Sequence, residues 1–139
     1  FPDAGITTDV IAGFPTETEE DFSATLSLIE KAGFTDIHPF IYSPRSGTAA
    51  YKMKDLPYAV KKRRLDNLLE IKEKIKSDFV KRETGKILSF LPEEEKDGYT
   101  AGYTGNYLRL YVKGCNCEGP SVCARVIKGY ADGAIAELV

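Results

Sequence analysis

The sequence predicts an α/β fragment followed by a small all-β barrel. Three observations carry this reading. Residues 6–42 form one strand-helix-strand pattern, a long amphipathic helix follows from Pro57, and from Lys86 onward short alternating segments are separated by Gly and Asp.

Ile6-Thr7-Thr8-Asp9-Val10-Ile11-Ala12 is β-branched and mostly apolar, and Gly13-Phe14-Pro15 ends it, so a buried strand is expected. Thr18 and Asp21 then have the spacing of a capping box. Phe22, Leu26 and Ile29 recur on one helical face before Gly33 closes the segment. The apolar run 36–42 comes directly after, which predicts a β-α-β unit with parallel strands. Residues 43–56, with Pro44 and Gly47, read as a long loop of the kind that is often functional. A helix is expected from Pro57 to about Glu83, with Val60, Leu65, Leu68, Leu69, Ile75 and Phe79 as apolar positions and Gly85 as its stop. Strands are expected at 86–91, 98–103, 106–113, 121–130 and 133–138, enough for a small closed barrel. The expected domains are therefore 1–56, a connecting helix at 57–85, and a barrel at 86–139.

With 139 residues, 42% of them hydrophobic, the chain can bury a real core. No apolar run approaches the roughly 20 residues needed to cross a bilayer, and Phe1-Pro2-Asp3 does not begin a signal peptide, so a cytoplasmic protein with no membrane partner is expected. The missing initiator Met, with a strand starting almost at once, suggests a piece of a longer protein. Its missing N-terminal part would then be a partner, and the open edges of strands 6–12 and 36–42 make an edge-strand homo-oligomer plausible.

The net charge of −2 hides an uneven distribution. Residues 1–50 carry 2 basic and 8 acidic groups, 51–85 carry 11 and 6, and 86–139 carry 6 and 7. The central basic island, including Lys61, Lys62, Arg63 and Arg64, suits contact with a polyanion, although a solvated helix face more often gives the same count.

Two stretches carry a family resemblance. Residues 6–22, with Ala12-Gly13-Phe14-Pro15-Thr16-Glu17-Thr18, resemble a late strand and helix of the barrel in radical S-adenosylmethionine methylthiotransferases, and Tyr42-Ser43-Pro44-Arg45-Ser46-Gly47-Thr48 resembles that family's YSPRPGT segment. Gly102-Tyr103-Thr104-Gly105-Asn106-Tyr107-Leu108-Arg109-Leu110-Tyr111-Val112 resembles its TRAM domain. The resemblance implies an α/β fragment of a (β/α) radical SAM barrel followed by a small all-β TRAM barrel that binds tRNA. The wording of these segments is most like the enzymes that act on threonylcarbamoyladenosine beside the anticodon. Thr16 stands where the family has Gly, so if the turn needs positive φ, strain of about 1 kcal/mol or a different local turn is expected.

The resemblance also implies S-adenosylmethionine and 4Fe-4S clusters in the full-length parent, the clusters held by Cys-x-x-x-Cys-x-x-Cys and by three further cysteines. Neither set is present, so no catalytic or metal-ligating residue is assigned, and the isolated chain is expected to be inactive. Cys115, Cys117 and Cys123 match no cluster or zinc spacing and read as three free thiols. His38, the lone histidine, reads as a structural or strand-end residue.

By resemblance, Ile11, Gly13, Phe14 and Pro15 approach the adenosyl part of the cofactor at the strand's C-terminal end, where such barrels bind ligands; a tight strand-to-helix turn is the alternative. Arg45 suits a substrate phosphate or a cofactor carboxylate, or a surface ion pair. Period two over 106–113 puts Tyr107, Arg109, Tyr111 and Lys113 on one face and Leu108, Leu110 and Val112 on the other. The first face can stack on unpaired bases and neutralise phosphates, unless it is ordinary cross-strand packing. Lys61, Lys62, Arg63 and Arg64 would extend the same field, although four consecutive positions span all sides of a helix and cannot all face RNA. The functional expectation is a tRNA methylthiotransferase fragment; the alternatives are a methylthiotransferase acting on a ribosomal-protein aspartate, and a non-enzymatic RNA-binding module.

Overall fold

The computed structural model describes residues 3–115, 119 and 121–139, so Phe1 and Cys117 lie outside the described residues. Two compact units result: Ile6–Ile75, and residues 3–5 with 76–139.

In the first unit, strands β1 (Thr7–Ala12) and β2 (Asp36–Ile41) pair in parallel through helix α1 (Glu19–Ala32). The Thr18 hydroxyl accepts the Asp21 N–H at 3.1 Å and the Asp21 carboxylate accepts the Thr18 N–H at 2.9 Å, which satisfies two helix-end donors. Gly33 ends the helix at φ 71°, a conformation that costs glycine nothing. Ala12 and Ile37 point inward against Phe22 and Ile29 of α1 and Leu68 of the next helix. The opposite face of the pair leaves Ile11 and Phe40 exposed. Parallel sheets are ordinarily covered on both faces, so this one is covered on one side only.

The loop at 43–56 contains a 3-10 turn, Ala49–Lys52, capped by Thr48. Helix α2 (Tyr58–Glu83) begins just after Pro57, whose carbonyl accepts the Val60 and Lys61 N–H groups. Leu65, Leu68, Ile71 and Ile75 pack in the first core, whereas Phe79 and Val80 pack in the barrel core. The division between units thus falls within α2, near Ile75, and not at its ends. Leu69, expected as an apolar position, is exposed, because each residue advances the helix by about 100° and Leu68 takes the inward direction.

The second unit is a closed five-stranded barrel in the order β3-β4-β5-β7-β6. Its strands are β3 (Ile87–Lys96), β4 (Tyr99–Thr104), β5 (Arg109–Lys113), β6 (Val122–Tyr130) and β7 (Gly133–Leu138). β5 runs parallel to β7 and the other pairs are antiparallel. Phe90, Leu110, Val112, Ala124, Val126, Ala134 and Ala136 fill the interior, and Phe79 packs with them. β3 is longer than its sequence suggests because it passes through a bulge between Pro92 and Glu94, which lets a Pro-containing strand keep pairing. β5 is shorter, because Thr104 to Leu108 form a tight turn: the Tyr107 N–H donates to the Thr104 carbonyl and the Leu108 N–H to the Thr104 hydroxyl, both at 3.0 Å.

Candidate functional site

The first unit gathers its buried polar groups where β1 ends. Gly13 adopts φ 77° and its N–H donates to the Glu17 carboxylate at 2.8 Å. The Glu17 N–H donates to the Phe14 carbonyl at 2.9 Å, closing the turn. Thr16 sits at φ 81°, so the positive φ is present and a β-branched residue bears it. Of the four residues expected to line a ligand, Ile11 and Phe14 are exposed, whereas Gly13 and Pro15 are buried beneath the turn. Phe14 meets Tyr42 edge-on, with ring centroids 5.3 Å apart, and the buried Tyr42 hydroxyl has no hydrogen-bond partner among the described residues. The C-terminal end of β1 thus holds an exposed apolar ring beside a hydroxyl with no partner among the described residues.

The basic run on α2 is split by the helix. Four consecutive positions span all sides of a helix, and Lys61 and Arg64 face inward, which corrects their expected part in RNA binding: three-residue spacing returns these two to one side. Lys61 donates to the Asp55 carboxylate at 2.7 Å, and its stem lies against Gly13. Arg64, 2% exposed, grips the Glu17 carboxylate, donates to the Glu17 carbonyl at 3.1 Å, and bonds Glu19 at 2.8 Å. The Arg64 hydrogen bond and charge hold the Glu19 carboxyl below its ordinary range. Lys62 and Arg63 are exposed and paired with Asp66 and Glu19.

On the barrel, Leu108, Leu110 and Val112 point inward as period two requires. The other face is not a bare stripe. Tyr107 belongs to the turn, at φ 64° and 75% exposed. Tyr111 is 1% exposed, beneath Arg109 and among Tyr99 and Tyr130. Tyr111 keeps the outward parity but is covered, which corrects its expected contact with RNA: Tyr99, Tyr130 and Arg109 lie over it. Arg109 lies over the Tyr103 and Tyr111 rings and pairs with Glu94 and, at 3.3 Å, with Asp132. Lys113 is exposed. The Tyr111 hydroxyl donates to Asp132. Burial, then that bond, push the Tyr111 phenol up to about 12 from 10. Because the folded value is the raised one, this contribution to stability is present below pH 10 and is lost as pH rises through about 12. Ultraviolet titration of the intact protein is expected to show a late-ionising tyrosine near pH 12 that disappears in Tyr111→Phe.

Arg45 is exposed and makes no ion pair among the described residues. His38 is exposed on β2, in register with Asp9. Cys123 is a free, exposed thiol, whereas Cys115 is disulfide-bonded, which corrects the expectation of three free thiols. Among the described residues no cluster of three or more His, Cys, Asp or Glu could hold a metal ion, and no helix is long and apolar enough to cross a membrane. Sequence reasoning missed Glu17, Tyr42, Tyr103 and Asp132. Glu17 had a signal, an acid four residues past a strand-ending glycine; the others are joined to their partners only by folding.

No family model matches the chain. It is 40% identical over 127 residues to the tRNA-2-methylthio-N(6)-dimethylallyladenosine synthase of Aquifex aeolicus, covering 91% of this chain and 28% of that protein. It is 44% identical over 118 residues to the Bacillus licheniformis protein of the same name, covering 82% and 23%. It is 32% identical over 149 aligned positions to the threonylcarbamoyladenosine tRNA methylthiotransferase MtaB of Bacillus subtilis, covering 100% and 33%. The chain therefore spans between 23% and 33% of the length of these curated relatives.

Proposed function

We propose that this chain, which belongs to the tRNA methylthiotransferase family, is the C-terminal part of a radical S-adenosylmethionine enzyme that transfers a methylthio group to a modified adenosine beside the tRNA anticodon. The observation that carries the reading is the similarity, over most or all of the chain, to relatives named for methylthiolation of N6-substituted adenosines. Neither a ribosomal-protein substrate nor a bare RNA-binding role has such support. Both adenosine substituents, dimethylallyl and threonylcarbamoyl, occur in those names; the wording of the segments around His38 and Tyr103 resembles the second, whereas the relatives of higher identity carry the first.

In this reading residues 1–56 are the late β-α-β part of a radical SAM barrel, 57–85 the connecting helix, and 86–139 a TRAM-like barrel that grips tRNA. S-adenosylmethionine with a 4Fe-4S cluster supplies the radical chemistry. Ile11 and Phe14 form an apolar wall for the adenosyl group, Gly13 and Pro15 shape the turn beneath it, and Arg45 takes a substrate phosphate. Tyr107 and Lys113, with Lys62 and Arg63, contact tRNA; Arg109 and Tyr111 support the barrel face. The cysteines here do not fit a cluster, since Cys115 is in a disulfide and Cys123 lies on β6. The rest of the parent, in the cytoplasm, holds the clusters and covers the open face of β1 and β2.

The test uses the full-length protein, reconstituted anaerobically with iron and sulfide and supplied with S-adenosylmethionine, a one-electron reductant, tRNA that already carries the N6-substituted adenosine without a methylthio group, and ribosomal protein as the competing acceptor, followed by mass spectrometry of nucleosides and protein. A methylthio adduct on an N6-substituted adenosine is expected; transfer to a ribosomal-protein aspartate instead would overturn the proposal. The isolated chain, treated the same way, is expected to bind no four-iron cluster and to modify no tRNA, which iron counting checks.

A further inference from the structure

The turn between β1 and α1 is held from outside itself. Thr16 is β-branched and left-handed, a conformation that persists only where its surroundings enforce it. The enforcing contacts all converge on Glu17. Its carboxylate takes the Gly13 N–H and the Arg64 guanidinium, and its carbonyl takes a second Arg64 donation at 3.1 Å. Arg64 Nη1 thus grips the residue after the strained one at two points, while Nη2 bonds Glu19 at 2.8 Å, so that one rigid guanidinium spans two carboxylates. On the other side, the Lys61 stem fills the space beside Gly13, where a Cβ would lie 2.3 Å from Lys61 Cγ. The Tyr42 N–H donates to the Ala12 carbonyl at 2.9 Å, so the end of β2 is fixed to the same turn. With Gly13 and Pro15 buried, the turn presents Phe14 and Thr16, and Phe14 is the apolar one.

We propose that Arg64 is a positioning residue: by its two-point hold on Glu17 it keeps Thr16 left-handed and the Gly13 N–H turned inward, so that Phe14 is presented to the adenosyl part of the cofactor. The last clause rests on the function proposed above. The hold itself does not, and can be read from this chain alone.

The experiment is a double-mutant cycle on the chain, with amide hydrogen exchange at Gly13 measured against Ile29 in α1. Arg64→Gln is expected to speed Gly13 exchange about tenfold relative to Ile29, as one charge-assisted grip is lost. Arg64→Lys, which keeps the charge but lacks the second nitrogen that bonds Glu19, should fall between. Thr16→Gly removes the need for the hold, so Arg64→Gln in that background should restore most of the Gly13 protection. Additive effects, or equal acceleration at Gly13 and Ile29, would overturn the proposal. In the full-length protein, equilibrium dialysis with S-adenosylhomocysteine reads the cofactor clause. Arg64→Gln should weaken binding about tenfold and Thr16→Gly should restore it. If Gly13 exchange responds as expected and this affinity does not, the hold stands and the adenosyl wall lies elsewhere.

Discussion

Replacing Gly102 by Ala is expected to unfold the barrel. A Cβ at this position would lie 1.8 Å from the Leu91 carbonyl oxygen, 2.7 Å from its carbon and 3.0 Å from Pro92 Cα. All three are backbone atoms, so no rotamer change relieves the clash. Gly102 pairs with Pro92 beside the bulge in β3, where the two strands approach closely. In an open sheet the strand can shift outward; here β3 is also paired with β6, and closure leaves no free edge to absorb the movement. We expect a loss of about 3 kcal/mol or more, measured by urea unfolding and by loss of protected amides in 109–113. Gly98 is the control. It is left-handed at φ 79° with open space around it, so Gly98→Ala meets only the backbone cost of about 1 kcal/mol. If the Gly102 variant loses no more than the Gly98 variant, the close approach is not a constraint on the fold.

Tyr107→Ala is expected to weaken tRNA binding about tenfold, since stacking on one unpaired base contributes roughly 1–3 kcal/mol. The side chain is largely exposed, and its turn is fixed from below. The Thr104 hydroxyl bonds Asn106 at 2.6 Å and the Leu108 carbonyl at 3.1 Å, and the Asn106 amide donates to the buried Glu83 at 3.4 Å. With the turn fixed in this way, only the side chain's own rotamers are left to be ordered on stacking. The salt dependence of binding should hardly change, because stacking releases few counterions. Lys113→Ala should flatten it, by about one unit of slope if the ammonium contacts a phosphate. Arg109→Ala should not, since Glu94 and Asp132 already balance the guanidinium. Fluorescence titrations of labelled tRNA at several salt concentrations separate these outcomes, with circular dichroism verifying each fold. Unchanged affinity in Tyr107→Ala would shift the contact to the exposed Lys62 and Arg63 of α2.

Much of the architecture was legible along the chain because its signals are local. Thr18 and Asp21 lie three residues apart, and their reciprocal bonds form wherever the helix starts. Leu108, Leu110 and Val112 face inward because successive side chains of an extended chain alternate. The match of residues 6–22 and 102–112 to a family needed only the order of residues. What the alternation could not give was the environment of the other face. Tyr107 and Tyr111 share a parity, yet one is exposed in a turn and the other lies beneath Arg109.

The sequence by itself determined the two kinds of layer, their order, the helix caps and the identity of the family. The tertiary structure decided which of four consecutive cations are held inside, where the division within α2 falls, and which of the alternating tyrosines meets solvent. The physical reason is range. Propensity, capping and periodicity act within a few residues, whereas Arg64 meets Glu17 across 47 positions and Tyr111 meets Asp132 across 21, distances that only the closed fold removes.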